Sequence, residues 1–185
     1  VPIIEGLMQR FVGGPERSMH ETNQWLKHNI TVTSDKTKLP TSVDGRIELG
    51  IFGGHMNNHP VGQITFYRLL ADIDVRLFRI TLIATPLVPD WMTKQIASMV
   101  HRIVNLPLDN RVAWAMIDKL NIDVLLFPDW QPFPDQQSLF FQSRRIAPVQ
   151  ICFFVRGSSC ASTTVDYYLL PKDVMDYYRS IATFP

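Results

Sequence analysis

The chain has 185 residues, of which 46% are hydrophobic and 19% charged, and its formal net charge is +1. That mix supports a buried core in one ordinary domain with some extra length, and it excludes an intrinsically disordered tail. So small a charge excludes a strong field directed at nucleic acid or an anionic membrane, and no apolar run approaches the roughly 20 residues needed to cross a bilayer.

Residues 1–45 contain Gly13-Gly14-Pro15 and a polar stretch from Thr31 to Asp44, with few sustained apolar patterns. This segment is expected to be a connector or the edge of a preceding module, because it cannot form its own core. The chain starts at Val1 with no charged stretch leading into an apolar one, so no secretory signal is expected. Cys152 and Cys160 are too few for a disulfide framework or a zinc site, and they point to a reducing compartment.

From Arg46 the rhythm changes. Arg46 to Phe52 reads as a strand, followed by the Gly53-Gly54 turn. A helix is expected after His59-Pro60, with Phe66, Leu69, Leu70 and Ile73 on one face. Phe78 to Ala84 is a second strand. Pro89-Asp90 opens the next helix, with Met92, Ile96, Met99 and Ile103 aligned, and a short strand around Arg102 to Leu106 overlaps its end. Val112, Met116, Ile117 and Leu120 mark another helix. Ile122 to Phe127 is nearly continuously apolar, as in a strand buried on both faces. A helix over Asp135 to Arg145, strands over Ala147 to Val155 and Val165 to Leu170, and a final helix from Pro171 complete the expectation. Strands alternating with helices predict a doubly wound, mostly parallel α/β sheet, Rossmann-like, over residues 46–185.

In such sheets ligands bind beyond the carboxyl ends of the strands, near the switch in strand order. The first strand feeds Gly53 to Gly62, and Pro60 places His59 at or near a helix N-cap. Backbone N–H groups there could hold an anion, and the imidazole could act as a base; a capping loop histidine needs only a satisfied hydrogen bond. The loop is not a GxGxxG fingerprint, which disfavours a dinucleotide. Asp72-Ile73-Asp74 has the spacing of a metal-holding DxD but falls where a helix should end, as solvated turn residues do. His101 is expected to close a helix, where a positive imidazole suits the dipole. Cys160 lies in a small-residue loop with no neighbouring base, and Phe127, Trp130, Phe133 and Phe140 could line a site or fill the core.

Ile122 to Asp129, then Arg145-Ile-Ala-Pro-Val-Gln150, then Val165-Asp166-Tyr167-Tyr168, resemble the catalytic region of the protein O-linked N-acetylglucosamine transferase family. Ile47 to Gly62 is similar to that family's His-Pro opening, and the likeness spans residues 46–176. Pro128-Asp129 is closer to the bacterial cytoplasmic and uncharacterised eukaryotic branch. The resemblance implies the N-terminal half of a two-Rossmann, B-type glycosyltransferase fold. It also implies inverting transfer from a UDP-sugar to a protein side chain, without a cofactor or metal. His59 would be the catalytic histidine. His101, Asp129, Gln150, Ser158 and Ser159 would lie on the substrate or donor side, with Asp129 and Gln150 at strand ends facing the cleft.

A C-terminal half would hold most UDP-sugar contacts, and an upstream helical repeat array could bind the protein acceptor. Neither nucleic acid nor membrane is an expected partner, and the location would be cytoplasmic or nucleocytoplasmic. Val155 to Ala161 departs from the family's glycine-rich loop, which leaves a degenerate, non-catalytic binding module of the same fold as the alternative. The chain stops at Pro185, so the isolated half is expected to be inactive.

Overall fold

The computed structural model describes residues 44–85, 88–128, 141, 144–153 and 164–169. The expected connector 1–45, the helices over 135–145 and from 171, and site residues Asp129, Ser158 and Ser159 lie wholly or mostly outside them, as do Trp130, Phe133, Phe140 and Cys160.

Among the described residues six strands form one sheet: β1 (Ile47–Gly53), β2 (Phe78–Ala84), β3 (Arg102–Asn105), β4 (Val124–Phe127), β5 (Val149–Phe153) and β6 (Tyr167–Leu169). Their order is β3-β2-β1-β4-β5-β6, and every neighbouring pair is parallel. This is the doubly wound α/β sheet that the alternation of elements predicts, with its order reversing between β1 and β4. Strand β1 pairs with β2 along its whole length and with β4 at Leu49 to Ile51.

Apolar side chains on both faces explain why β4 reads as a nearly continuous hydrophobic run, whereas Glu48, Arg79 and Thr81 interrupt β1 and β2 toward their amino ends. Leu49 and Ile51 of β1, with Ile80 and Leu82 of β2, face one core, together with Phe66, Leu70, Met92 and Ile96 from two helices. Phe52 and Ile83 point the other way and pack with Ala113, Ile117, Leu120, Phe127 and Phe141. Burying a Phe or Ile of this kind contributes about 1.5–3 kcal/mol.

The first helix, α1, combines a π-helical turn, Gly62–Tyr67, with α-helical Arg68–Asp72. The Phe66 ring lies where a Cβ on Gly53 would stand. Gly53 is therefore required for close packing, whereas the sequence reading assigns it to a tight turn; the one described glycine with positive φ is Gly45. Helix α2 (Trp91–Ala97) is shorter than its apolar spacing implies. Met92 and Ile96 are buried as expected, but Ile103 is on edge strand β3 and exposed. Hydrogen bonding decides this: the His101 N–H donates to Ile80 O and starts the β3 ladder. Helix α3 (Asn110–Asp118) buries Ile117, with Leu120 just beyond its end, as expected, but Val112 is exposed and Ala113 takes the buried position in its place.

Gln150 pins the segment leading into β5. Its Oε1 accepts from Ile146 N–H at 2.6 Å and Ala147 N–H at 3.2 Å, and its Nε2 donates to Arg144 O at 3.1 Å and Thr164 O at 2.9 Å. The side chain is fully buried. Gln150→Leu would leave these four backbone groups without this partner, and a loss of roughly 2–4 kcal/mol in urea denaturation is expected. An unchanged midpoint would show that the amide is dispensable for holding this turn.

Candidate functional site

At the carboxyl edge of the sheet, β1 runs into a loop, residues 54–61, whose conformation is set by short-range hydrogen bonds. His59 N–H donates to Asn57 O at 2.7 Å, and Gln63 N–H donates to His59 O at 3.0 Å, the first helical bond of α1. His59 Nδ1 accepts from Val61 N–H at 3.2 Å. The histidine thus caps the helix, as Pro60 leads one to expect. With Nδ1 accepting, the proton of the neutral imidazole resides on Nε2, so the ring presents a donor to the edge. The His55 ring lies against that of His59, with centroids 4.5 Å apart and planes tilted by 35°. The sequence reading passes over His55 because partnership of two rings four residues apart depends on the loop's turn.

Asp90 ties this loop to the next one. Its side chain accepts from Thr93 N–H, which caps α2, while Asp90 N–H donates to Thr93 Oγ1. Asp90 Oδ2 also accepts from Asn58 N–H at 2.5 Å. Burial opposes ionisation of this carboxyl, but hydrogen bonds from Thr93, Asn58 and Met92 prevail and hold it below its ordinary value of 3.8. Asx-type capping was readable from Asp90 and Thr93 in the sequence; the tie to Asn58 was not.

The other named residues fall elsewhere. His101 sits before β3, at the amino edge, four residues beyond the end of α2, so it closes no helix. Its Nδ1 accepts from Ile80 N–H at 3.1 Å. Gln150 is the second residue of β5, also at the amino edge, and its amide is consumed by backbone. The expectation that Gln150 faces a carboxyl-end cleft is thereby corrected, and neither residue meets His59. Phe127 is core, 5.8 Å from the Phe52 ring centroid. Asp72 pairs with Arg68 at 3.0 Å and Asp74 with Arg76 at 2.7 Å. The Arg76 guanidinium lowers the Asp74 carboxyl to about 2, so each aspartate serves its own arginine. Among the described residues no group of His, Cys, Asp and Glu could hold a metal ion.

A solved O-GlcNAc transferase shares this fold. That structure is a mutant of the enzyme from Thermobaculum terrenum, at TM-score 0.62 and 20% identity, covering 85% of this chain. The chain spans 30% of that structure's length. At such identity the likeness establishes the fold. No family model and no curated protein matches the sequence. No described helix is long and apolar enough to cross a membrane.

Two outcomes test this loop. Asp90 has a folded-state value below the unfolded one, so its contribution is complete above the ordinary carboxylate range and is lost as pH falls through the lowered value. The Asn58 amide resonance should therefore stay in place as pH crosses 3.8 and move only below it; a midpoint at the ordinary value would remove Asp90 as the tie. A Cβ at Gly62 would overlap the Asn57 and His55 carbonyl oxygens. Gly62→Ala should lower stability by about 1–3 kcal/mol and displace both histidine ring resonances in NMR spectra. Unmoved resonances would mean that the loop does not depend on this contact.

Proposed function

We propose that this chain is the acceptor-side half of a UDP-sugar-dependent glycosyltransferase that transfers a sugar to a protein side chain with inversion. The observation that carries the reading is the braced His55–His59 loop at the carboxyl edge, beside the β1/β4 switch, in a fold shared with an O-GlcNAc transferase. Open α/β sheets place their ligands at this edge. An acceptor hydroxyl or amide attacks the anomeric carbon and gives up its proton, which His59 accepts or relays to solvent; the sugar–phosphate bond breaks with its electron pair on the phosphate oxygen, and UDP departs.

His59 orders the acceptor oxygen through Nε2–H. To take a proton at Nε2 it must adopt the other tautomer and give up the bond from Val61. Positioning and stabilisation of the departing phosphate supply most of the rate. A C-terminal Rossmann-like half, with Asp129, Ser158 and Ser159 on its side of the cleft, holds the UDP-sugar. An upstream repeat array presents the protein acceptor, and the reaction runs in the cytoplasm without metal or cofactor.

The test is UDP-sugar turnover by the full-length protein carrying this chain, as wild type, His59→Ala and His59→Asn. Alanine should lower turnover at least roughly tenfold. Asparagine, which can accept from Val61 N–H through Oδ1 and donate through Nδ2, should retain more activity than alanine. A wild-type protein that neither binds nor turns over a UDP-sugar would remove the enzyme reading in favour of a non-catalytic binding module.

A further inference from the structure

The amino edge of the sheet carries a cavity of about 500 Å³, on the α3 face over the starts of β1, β2 and β3. Among the described residues its walls include Arg46, Arg79, His101, Arg102 and Lys119, with Glu48 as the one acidic member. Asp44 adjoins it and bonds Arg46 at 2.6 Å and Arg79 at 2.5 Å. Among the described residues four cationic side chains thus face two carboxylates, an excess of two positive charges before His101 is counted. Arg102 donates only to Thr81 Oγ1, at 3.2 Å, and neither Arg102 nor Lys119 has a carboxylate partner among the described residues. Lys119 is the C-cap of α3, where it offsets the negative end of the helix dipole.

Hydrogen-bond chemistry sharpens the point. His101 Nδ1 accepts from Ile80 N–H, so the neutral ring carries its proton on Nε2. That Nε2 stands 3.1 Å from Nη1 of Arg46, which is always a donor. Two donors held side by side do not bond each other, and one oxyanion oxygen satisfies both. Arg79 Nε is a further shielded donor without a hydrogen bond; Glu48 Oε1 lies 3.5 Å away. Guanidinium groups suit phosphate oxygens because their N–H groups form a planar fork. We propose that this cavity binds a phosphate-class oxyanion, inorganic or carried on a nucleotide. The inference is independent of the sugar transfer proposed above, since the His55–His59 loop lies at the opposite edge of the sheet.

The test is calorimetric titration of the chain with inorganic pyrophosphate and, separately, with UDP, at low ionic strength matched with chloride. Wild type is compared with Arg102→Gln/Lys119→Gln and with His59→Ala. Both substituted cations are exposed and lack a carboxylate partner, so the urea midpoint should hold and certify the fold. One saturable pyrophosphate site is expected, weakened at least about tenfold in the double variant and unchanged by His59→Ala. UDP binding tighter than pyrophosphate, with the same sensitivity to the double variant, assigns the phosphate to a nucleotide. Equal affinity assigns it to the free anion. Absence of saturable binding, or binding lost in His59→Ala and kept in the double variant, would overturn the proposal. So would a hexaglutamate peptide that binds this cavity as tightly as pyrophosphate.

Discussion

Strand β1 hydrogen-bonds to β2 on one side and to β4 on the other, and from Leu49 onward it is buried on both faces. A parallel strand in that position has no face left for water, so helices must cover both sides of the sheet. Leu49 and Ile51 demand α1 and α2 on one face, and Phe52 demands α3 and Phe141 on the other. In open α/β sheets a change of face such as that between β1 and β4 marks the carboxyl edge as the place for a ligand. The loop that carries His55 and His59 begins there because β1 ends there.

The two edges of the sheet differ in chemistry. At the carboxyl edge the loop is organised by backbone and side-chain hydrogen bonds, with Asp90 as its carboxylate brace among the described residues. At the amino edge the segments leading into the strands are tied down by ionic contacts. Arg145 grips both oxygens of Asp166, at 2.5 and 3.0 Å, and Asp166 accepts from Gln150 N–H at 2.7 Å. Burial opposes ionisation of Asp166, yet the Arg145 and Gln150 hydrogen bonds hold its carboxyl below the ordinary value. Asp123 accepts from Glu48 N–H at 2.8 Å and locks the start of β4 to β1. In the Arg145 to Gln150 motif, then, the arginine and the glutamine side chains are structural clamps.

Much of the fold was legible because burial on two faces leaves a plain trace. The expected bounds of β2, Phe78 to Ala84, are the observed ones: Phe78, Ile80, Leu82 and Ala84 fill one parity, and Ile83 joins the other beyond the polar Arg79 and Thr81. Errors arose where a small residue or a ladder overrode periodicity. Ala113 lies at the centre of the buried stripe of α3, yet its single methyl gives little signal beside the exposed Val112. Ile103 continued the helical spacing of α2, but the parallel ladder with β2 claimed it. His59 was placed at a helix start from its neighbour Pro60, a local rule that needs no tertiary information.

Sequence alone determined which segments are strands, that the sheet is doubly wound, and that a histidine caps the helix after the first strand. These follow from apolar parity and from the fixed φ of proline, both properties of a few adjacent residues. Tertiary structure alone decided which edge each remaining polar residue occupies. His101 and Gln150 sit at the amino edge because the β2–β3 and β4–β5 ladders begin beside them, and where a ladder begins depends on the partner strand. The approach of His101 to Arg46 spans 55 residues, and the Phe66 ring over Gly53 depends on the π turn. Neither contact has a local period to betray it, because each is set by how helices and strands pack across the sheet.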